Sequence, residues 1–237
     1  MLQQTQVSRV IEKYKAFLIR FPNVRRLAEA PLFDVLRVWS GLGYNRRAKF
    51  LSAAARVIVR GYSGRVPKAA IVLCKLPGVG PYTASAVRVF AFNEPGTLIE
   101  TNIRAAFIHY FFQTYRGPSS VKVDDLEIIP IAQKAAEGQD PRTWHWALMD
   151  YGAHIKKLHG NPARRSAHHT RQSKFEGSLR QVRGAILRIL HTGPLSEHVL
   201  TRKVKPYGSN HERFTKALEG LAKDGLIKNE KGKWGVA

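Results

Sequence analysis

Cysteine is nearly absent: Cys74 is the only one in 237 residues. A single thiol excludes an intramolecular disulfide and cannot supply the four thiolates of an iron–sulfur cluster. Cys74 lies in an apolar stretch and reads as a core residue rather than a reactive thiol. Acid is scarce as well. Only 17 Asp and Glu stand against 39 Lys and Arg, leaving a net charge of +22. That surplus points to a polyanionic partner, with nucleic acid ahead of an acidic membrane. No apolar run is long enough to span a bilayer, so no membrane partner is expected. Met1 is followed at once by Leu2, Gln3 and Gln4, which is not how a secretory leader begins. Internal repeats and low-complexity tracts are also missing. What remains is 44% hydrophobic and 24% charged, an ordinary balance for one globular domain or two small ones. A reducing, cytoplasmic setting fits these features.

The most informative stretch is Leu76-Pro77-Gly78-Val79-Gly80-Pro81-Tyr82-Thr83-Ala84. It separates two helical runs, Lys68 to Lys75 and Thr83 to Phe92. Pro77 and Gly78 force a tight turn, and the glycines permit positive φ and close backbone approach. The second helix starts at the turn, so its first N–H groups lack helical partners and favour an anion such as a phosphate. A ligand-free corner between two helices fits the same residues.

Two further stretches carry chemistry. In Gly41-Leu42-Gly43-Tyr44-Asn45-Arg46-Arg47 two glycines free the backbone just before an aromatic and two cations. Tyr44 reads either as a ring that wedges into stacked bases while Arg46 and Arg47 hold phosphates, or as a core residue behind a helix C-cap. In Leu98-Ile99-Glu100-Thr101-Asn102 a carboxylate opens a helix that runs to about Phe112, with Thr101 as the expected cap. Glu100 there is either a base or electrostatic stabiliser, or a plain partner of the helix dipole.

Elsewhere helical spacing predicts elements over Gln3–Arg20, Val24–Ala30, Leu32–Trp39, Ala48–Arg60, Val123–Gly138 and Pro141–Lys157. The last is expected to bury Trp144, Trp146, Met149, Tyr151 and Ile155, with Asp150 capping or paired among them. Lys156 to Lys174 holds Lys156, Lys157, Arg164, Arg165, Arg171 and Lys174 and no acid, a composition suited to phosphate contacts. His154, His159, His168 and His169 lack the spacing of a zinc site, so no metal is expected. From Phe175 the pattern restarts as helices 179–190, 196–204 and 212–224. A β-hairpin follows, built on Gly225–Lys228 and Lys233–Val236 with its turn at Glu230–Gly232. This order resembles a winged-helix module, with its third helix as the recognition element and the hairpin as the wing.

Five motifs join up in order: Met1-Leu2-Gln3-Gln4-Thr5-Gln6-Val7, Gly41-Leu42-Gly43-Tyr44, Leu76 to Ala84, Glu100-Thr101-Asn102-Ile103 and Met149-Asp150-Tyr151-Gly152-Ala153. Over about residues 1–156 the chain resembles adenine DNA glycosylases of the MutY type, in the helix-hairpin-helix base-excision superfamily with endonuclease III. The resemblance implies a mainly α protein: a helix-hairpin-helix glycosylase domain over 1–156, a basic linker over 157–174 in place of the iron–sulfur loop, and a winged-helix-like domain over 175–237. It implies a monomeric enzyme that binds double-stranded DNA carrying a mismatch or damaged base and works at the nucleoid. Gly78, Val79, Gly80 and Thr83 would hold the phosphate backbone. Gln3, Gln4 and Tyr44 would fill or wedge the stack as the target nucleotide leaves it. Glu100 would offset the sugar's oxocarbenium-like charge, and Asn102 would orient the site. Tyr82 stands where bifunctional relatives carry a Schiff-base lysine, which implies release of the base with the backbone left intact.

The chain departs from that pattern in four ways. Glu100 replaces the family's aspartate, moving the carboxylate by one methylene. The proton-donating glutamate of the family lies just before the Met-Leu-Gln-Gln motif, which implies a true start upstream of Met1. The four cluster cysteines are absent, with Lys156 where the first would stand, so no cofactor is expected. The winged-helix-like segment replaces the domain that reads 8-oxoguanine, and its removal is expected to weaken binding without changing which base leaves. The implied activity is removal of adenine opposite guanine or 8-oxoguanine. Tyr82 suits a mismatch thymine glycosylase equally, and the missing glutamate suits a protein that only binds DNA.

Overall fold

The computed structural model describes residues 1–3, 5–112, 122–170 and 174–237. Polar side chains cap half of its described α-helices. α1 (Val7–Arg20) begins at Gln6 without a side-chain cap, whereas Asn23 accepts the Arg26 N–H and opens α2 (Val24–Glu29). α3 (Leu32–Trp39) starts behind Pro31, and α4 (Arg46–Gly61) follows the glycine-rich loop. α5 (Ala70–Leu73) is a single turn before the Leu76–Gly80 corner and α6 (Pro81–Phe92). Glu100 caps α7 (Thr101–Phe111), a reciprocal Asp124–Glu127 box caps α8 (Asp125–Ala135), and Asp140 caps α9 (Pro141–His159). α10 (Leu179–Leu190) starts at Ser178, β1 (Leu195–Ser196) leads into α11 (Glu197–Val204), and Asn210 caps α12 (His211–Lys223). β2 (Ile227–Glu230) and β3 (Lys233–Val236) close the chain.

Several sequence expectations move. The first helix starts at Val7 rather than Gln3, and the helix before the corner is four residues long rather than eight. Its end is a 3₁₀-type bond from the Lys75 N–H to the Val72 carbonyl, which leaves Cys74 exposed rather than in the core. The hairpin turn tightens to Lys231-Gly232, both at positive φ, the two-residue turn whose twist matches paired strands. On α9 only Ile155 of the expected apolar set is fully buried. Trp146 is 53% and Tyr151 45% exposed, and Asp150 faces solvent. Expectation failed there because aromatic spacing was read as burial, while the residues α9 buries are His145, Gly152 and Ile155. No described helix is long and apolar enough to cross a membrane.

The chain divides into two compact units, drawn differently from the sequence divisions at 156 and 174. The first comprises residues 1–66, 76–78 and 172–237. Val10, Phe17, Val35, Leu36 and Trp39 share one apolar cluster with Val182, Ile186, Leu190, Leu200, Leu218 and Leu221. The amphipathic stripe of α10 packs on α11, α12 and β3, and that apolar cluster continues into the N-terminal helices. The three strands form one antiparallel sheet in the order β1-β3-β2, with Leu195 opposite Trp234 and Ile227 opposite Val236.

The second unit comprises residues 67–75 and 79–171. Its core gathers Val89, Leu98, Ile103, Phe107, Ile108, Val123 and Ile128 from α6, α7, α8 and the segments between them. Part of the basic stretch expected as a linker is built into this unit. A 3₁₀ turn at Pro162–Arg165 presents Arg165, whose carbonyl accepts the Val123 N–H at 2.9 Å, and the Ala167 N–H returns to the Val123 carbonyl at 2.9 Å.

Candidate functional site

In the second unit, Glu100 is itself the N-cap of α7, the place expected for Thr101. Its Oε1 accepts the backbone N–H groups of Asn102 at 2.7 Å and Ile103 at 2.9 Å. Its Oε2 has no hydrogen-bond donor among the described residues. One oxygen therefore locks the carboxylate to the positive end of a helix, and the other is uncommitted. The extra methylene of glutamate is absorbed by this turn back onto the backbone.

Around Glu100 stand three more groups. The Tyr82 phenol, at the first turn of α6, is pushed above its usual pKa by burial and by the negative charge of Glu100, with Arg104 opposing. Arg104 forms a two-pronged pair with Asp125, 2.7 Å at each prong, which ties α7 to the start of α8. Lys156 of α9 donates to Asn102 Oδ1 at 2.8 Å and to Thr101 Oγ1 at 3.0 Å. Burial lowers its pKa, while Glu100 pulls it the other way.

Sequence reading put Lys156 among the basic residues and at the first cluster-cysteine position, and missed this role. A signal was present: Lys156 follows Gly152 by one turn on the same face of α9. Gly152 meets the α7 start directly, because a Cβ built there would overlap the backbone carbonyl of Asn102. Gly152→Ala is therefore expected to destabilise the protein by about 3 kcal/mol, at the upper end for overpacking, since the obstacle is backbone rather than a movable side chain. Urea unfolding of the variant against the parent measures it.

The same lysine bears on an iron–sulfur cluster. Where the resemblance puts the first cluster cysteine, this chain has an ammonium engaged with Asn102 and Thr101, and only one cysteine exists in the sequence. The residues do not fit a cluster.

Val79, Gly80 and Thr83 also belong to this unit. No side chain caps the start of α6, where Gly80 is the N-cap and Pro81 the first helical residue.

In the first unit, Gly78 takes φ +74°, and a Cβ there would run into the Phe50 side chain. The corner thus needs glycine on two counts. Tyr44 is 40% exposed at φ +47°, between Gly43 and α4. The carbonyls before it are held one by one. Arg9 donates to that of Gly41, Thr5 Oγ1 to that of Leu42 at 3.3 Å, and Trp39 Nε1 to that of Gly43 at 3.1 Å.

Arg47 is turned inward. It donates to the carbonyls of Met1 and Gln3 at 3.0 and 2.6 Å and to Thr5 Oγ1 at 3.1 Å, and it lies over the Trp39 and Tyr44 rings. Its guanidinium gathers the Gln3 segment and the Tyr44 loop. Arg46 pairs with Asp224 at 3.4 Å. Gln4 lies outside the described residues.

Comparison with known proteins gives the family. Residues 1–133 match the HhH-GPD superfamily of base excision DNA repair proteins, and the chain belongs to that superfamily.

It is 33% identical over 246 residues to the adenine DNA glycosylase of Mycolicibacterium smegmatis, covering 96% of this chain and 81% of that protein. It is 36% identical over 166 residues to that of Buchnera aphidicola subsp. Baizongia pistaciae, with 68% of this chain and 45% of that protein covered. With the human adenine DNA glycosylase it shares 35% over 156 residues, 65% of this chain and 28% of that one. The chain thus spans less than half the length of the latter two. Among solved structures it is similar to a thermostable thymine-DNA glycosylase, with TM-score 0.58 and 26% identity over 68% of this chain and 73% of that one. A non-covalent endonuclease III–DNA complex shares the fold, with TM-score 0.56 and 21% identity over 66% and 71% of the two chains.

Proposed function

We propose that this chain is a monofunctional DNA glycosylase, acting as a monomer without a cofactor, that releases adenine paired with guanine or 8-oxoguanine in duplex DNA. The observation that carries this reading is Glu100, whose Oε1 is locked by two backbone N–H groups while Oε2 takes no donor among the described residues. The similarity to adenine DNA glycosylases over 96% of the chain supports the choice of base.

In this reading the target nucleotide leaves the stack, with Gln3, Gln4 and Tyr44 taking its place. Gly78, Val79, Gly80 and Thr83 hold the backbone phosphates at the glycine corner and the α6 start. Protonation of the adenine at N7 lets the N-glycosidic bond break with its electron pair leaving on the base. Positive charge then grows on the sugar, and Glu100 Oε2 offsets it, with Asn102 kept in place by Lys156. Water adds at the sugar carbon and releases a proton to solvent, which balances the one taken up at N7 and completes hydrolysis. Tyr82 offers no amine where bifunctional relatives carry the lysine, and the Lys156 amine is engaged with Asn102 and Thr101, so the backbone stays uncut.

The test is single-turnover base release on duplexes with A·G, A·8-oxoguanine, G·T or full pairing. It is run on this chain and on a form extended upstream to place a glutamate two residues before Met1. Adenine release from the first two duplexes is expected. Thymine release would instead assign the mismatch thymine reaction, which Tyr82 and the thymine-DNA glycosylase similarity also suit. Tight duplex binding with no release by either form would mean the scaffold only holds DNA.

A further inference from the structure

The C-terminal segment has no part in the reaction just described. A winged-helix reading would give α12 to DNA, yet the outward face of that helix is poorly suited to it. Glu212, Lys216, Glu219 and Lys223 recur along it at helical spacing, all exposed, and Glu212 is bonded to Lys216 at 2.6 Å. A face of alternating sign offers phosphates little net attraction.

The polar groups of the segment engage the Tyr44 loop and its flanks instead. Arg180 of α10 donates to the Tyr44 hydroxyl at 3.3 Å. Lys49 of α4 donates to the Asp224 carbonyl at 2.6 Å. Asp224, little exposed at the end of α12, also takes Arg46 of α4 on one oxygen and Arg183 of α10 on the other. His191, at the end of α10, meets Phe33 near the start of α3 edge-on with ring centres 4.9 Å apart. Both helices that flank the loop, and the tyrosine itself, are thus held from one segment.

We propose that the C-terminal segment braces the wedge, and that Arg180 is a positioning residue for Tyr44. This rests on the reading of Tyr44 as the residue that enters the base stack. The physical need is plain. Tyr44 follows two positive-φ glycines, Gly41 and Gly43, and its exposed ring has Arg47 over it and Arg180 at its hydroxyl. The carbonyl bonds fix the loop, Arg47 lies over the ring, and Arg180 holds its hydroxyl. A wedge fixed before it meets DNA speeds base extrusion, because the ordering has already been done.

The experiment uses the full chain with a duplex carrying 2-aminopurine in place of the target adenine. Its fluorescence rises on unstacking, whether or not the bond is cut. Arg180→Ala and Tyr44→Phe are each expected to slow the rise about fivefold, the worth of one net hydrogen bond. The double variant is expected to be no slower than either single one, and Arg180→Lys to recover part of the rate. Melting temperature and the salt slope of DNA affinity should stay put, as they would not if Arg180 were structural or a phosphate contact. Slowdowns that multiply, a changed salt slope, or a silent Arg180→Ala beside a slow Tyr44→Ala would each overturn the brace alone. A silent Tyr44→Ala would overturn the wedge reading and the brace with it.

Discussion

Glu100→Gln is expected to lower single-turnover base release by at least about a hundredfold while leaving duplex affinity within a few-fold. Glutamine keeps an amide oxygen where Oε1 accepts the Asn102 and Ile103 N–H groups, so the cap on α7 survives in outline. What disappears is the negative charge on the uncommitted oxygen. An electrostatic group aimed at developing charge in a site of this kind is worth roughly 10²–10³ in rate. Affinity is set mainly by phosphate contacts elsewhere, which the substitution does not touch. Glu100→Asp separates charge from cap. Aspartate is the stronger N-cap and keeps the charge, so activity within about tenfold of the parent is expected. Undiminished release by Glu100→Gln in a rapid-quench assay would remove Glu100 from the mechanism.

Deleting residues 175–237 is expected to unfold the first unit rather than trim a separable module. Val182, Ile186, Leu190, Leu218 and Leu221 belong to the same buried cluster as Val35, Leu36 and Trp39. Re-exposing one large apolar side chain costs about 1.5–3 kcal/mol. Losing cover over three or four exceeds about 5 kcal/mol, the lower end of a domain's whole stability. The truncated chain should bind a hydrophobic dye and lose hydrogen-exchange protection in α1, α3 and α4. A fragment of residues 1–174 that melts cooperatively at the parent temperature would show that the N-terminal helices close their own core. The expectation that removal only weakens DNA binding treated the segment as separable. That followed from a restart of helical pattern near Phe175, which marks new elements but says nothing of what they pack against.

The sequence by itself determined whatever depends on neighbours along the chain. Pro77 and Gly78 dictate the corner before α6, and Gly78 takes the positive φ that only glycine adopts cheaply. Helical spacing placed the starts at Val24, Pro141 and Leu179 and put that of the last helix within one residue of His211. The five ordered motifs gave the superfamily. Tertiary structure alone decided which donors and acceptors meet across long separations. It turned Arg47 inward onto the Met1 and Gln3 carbonyls, set Lys156 on Asn102 and gave Arg180 to Tyr44. It also merged the last helices into the first core. Turns and caps are fixed by steric limits and hydrogen bonds within a few residues. Pairings over 40 to 140 residues depend on which apolar faces come together, and one sequence read alone shows those faces without their partners.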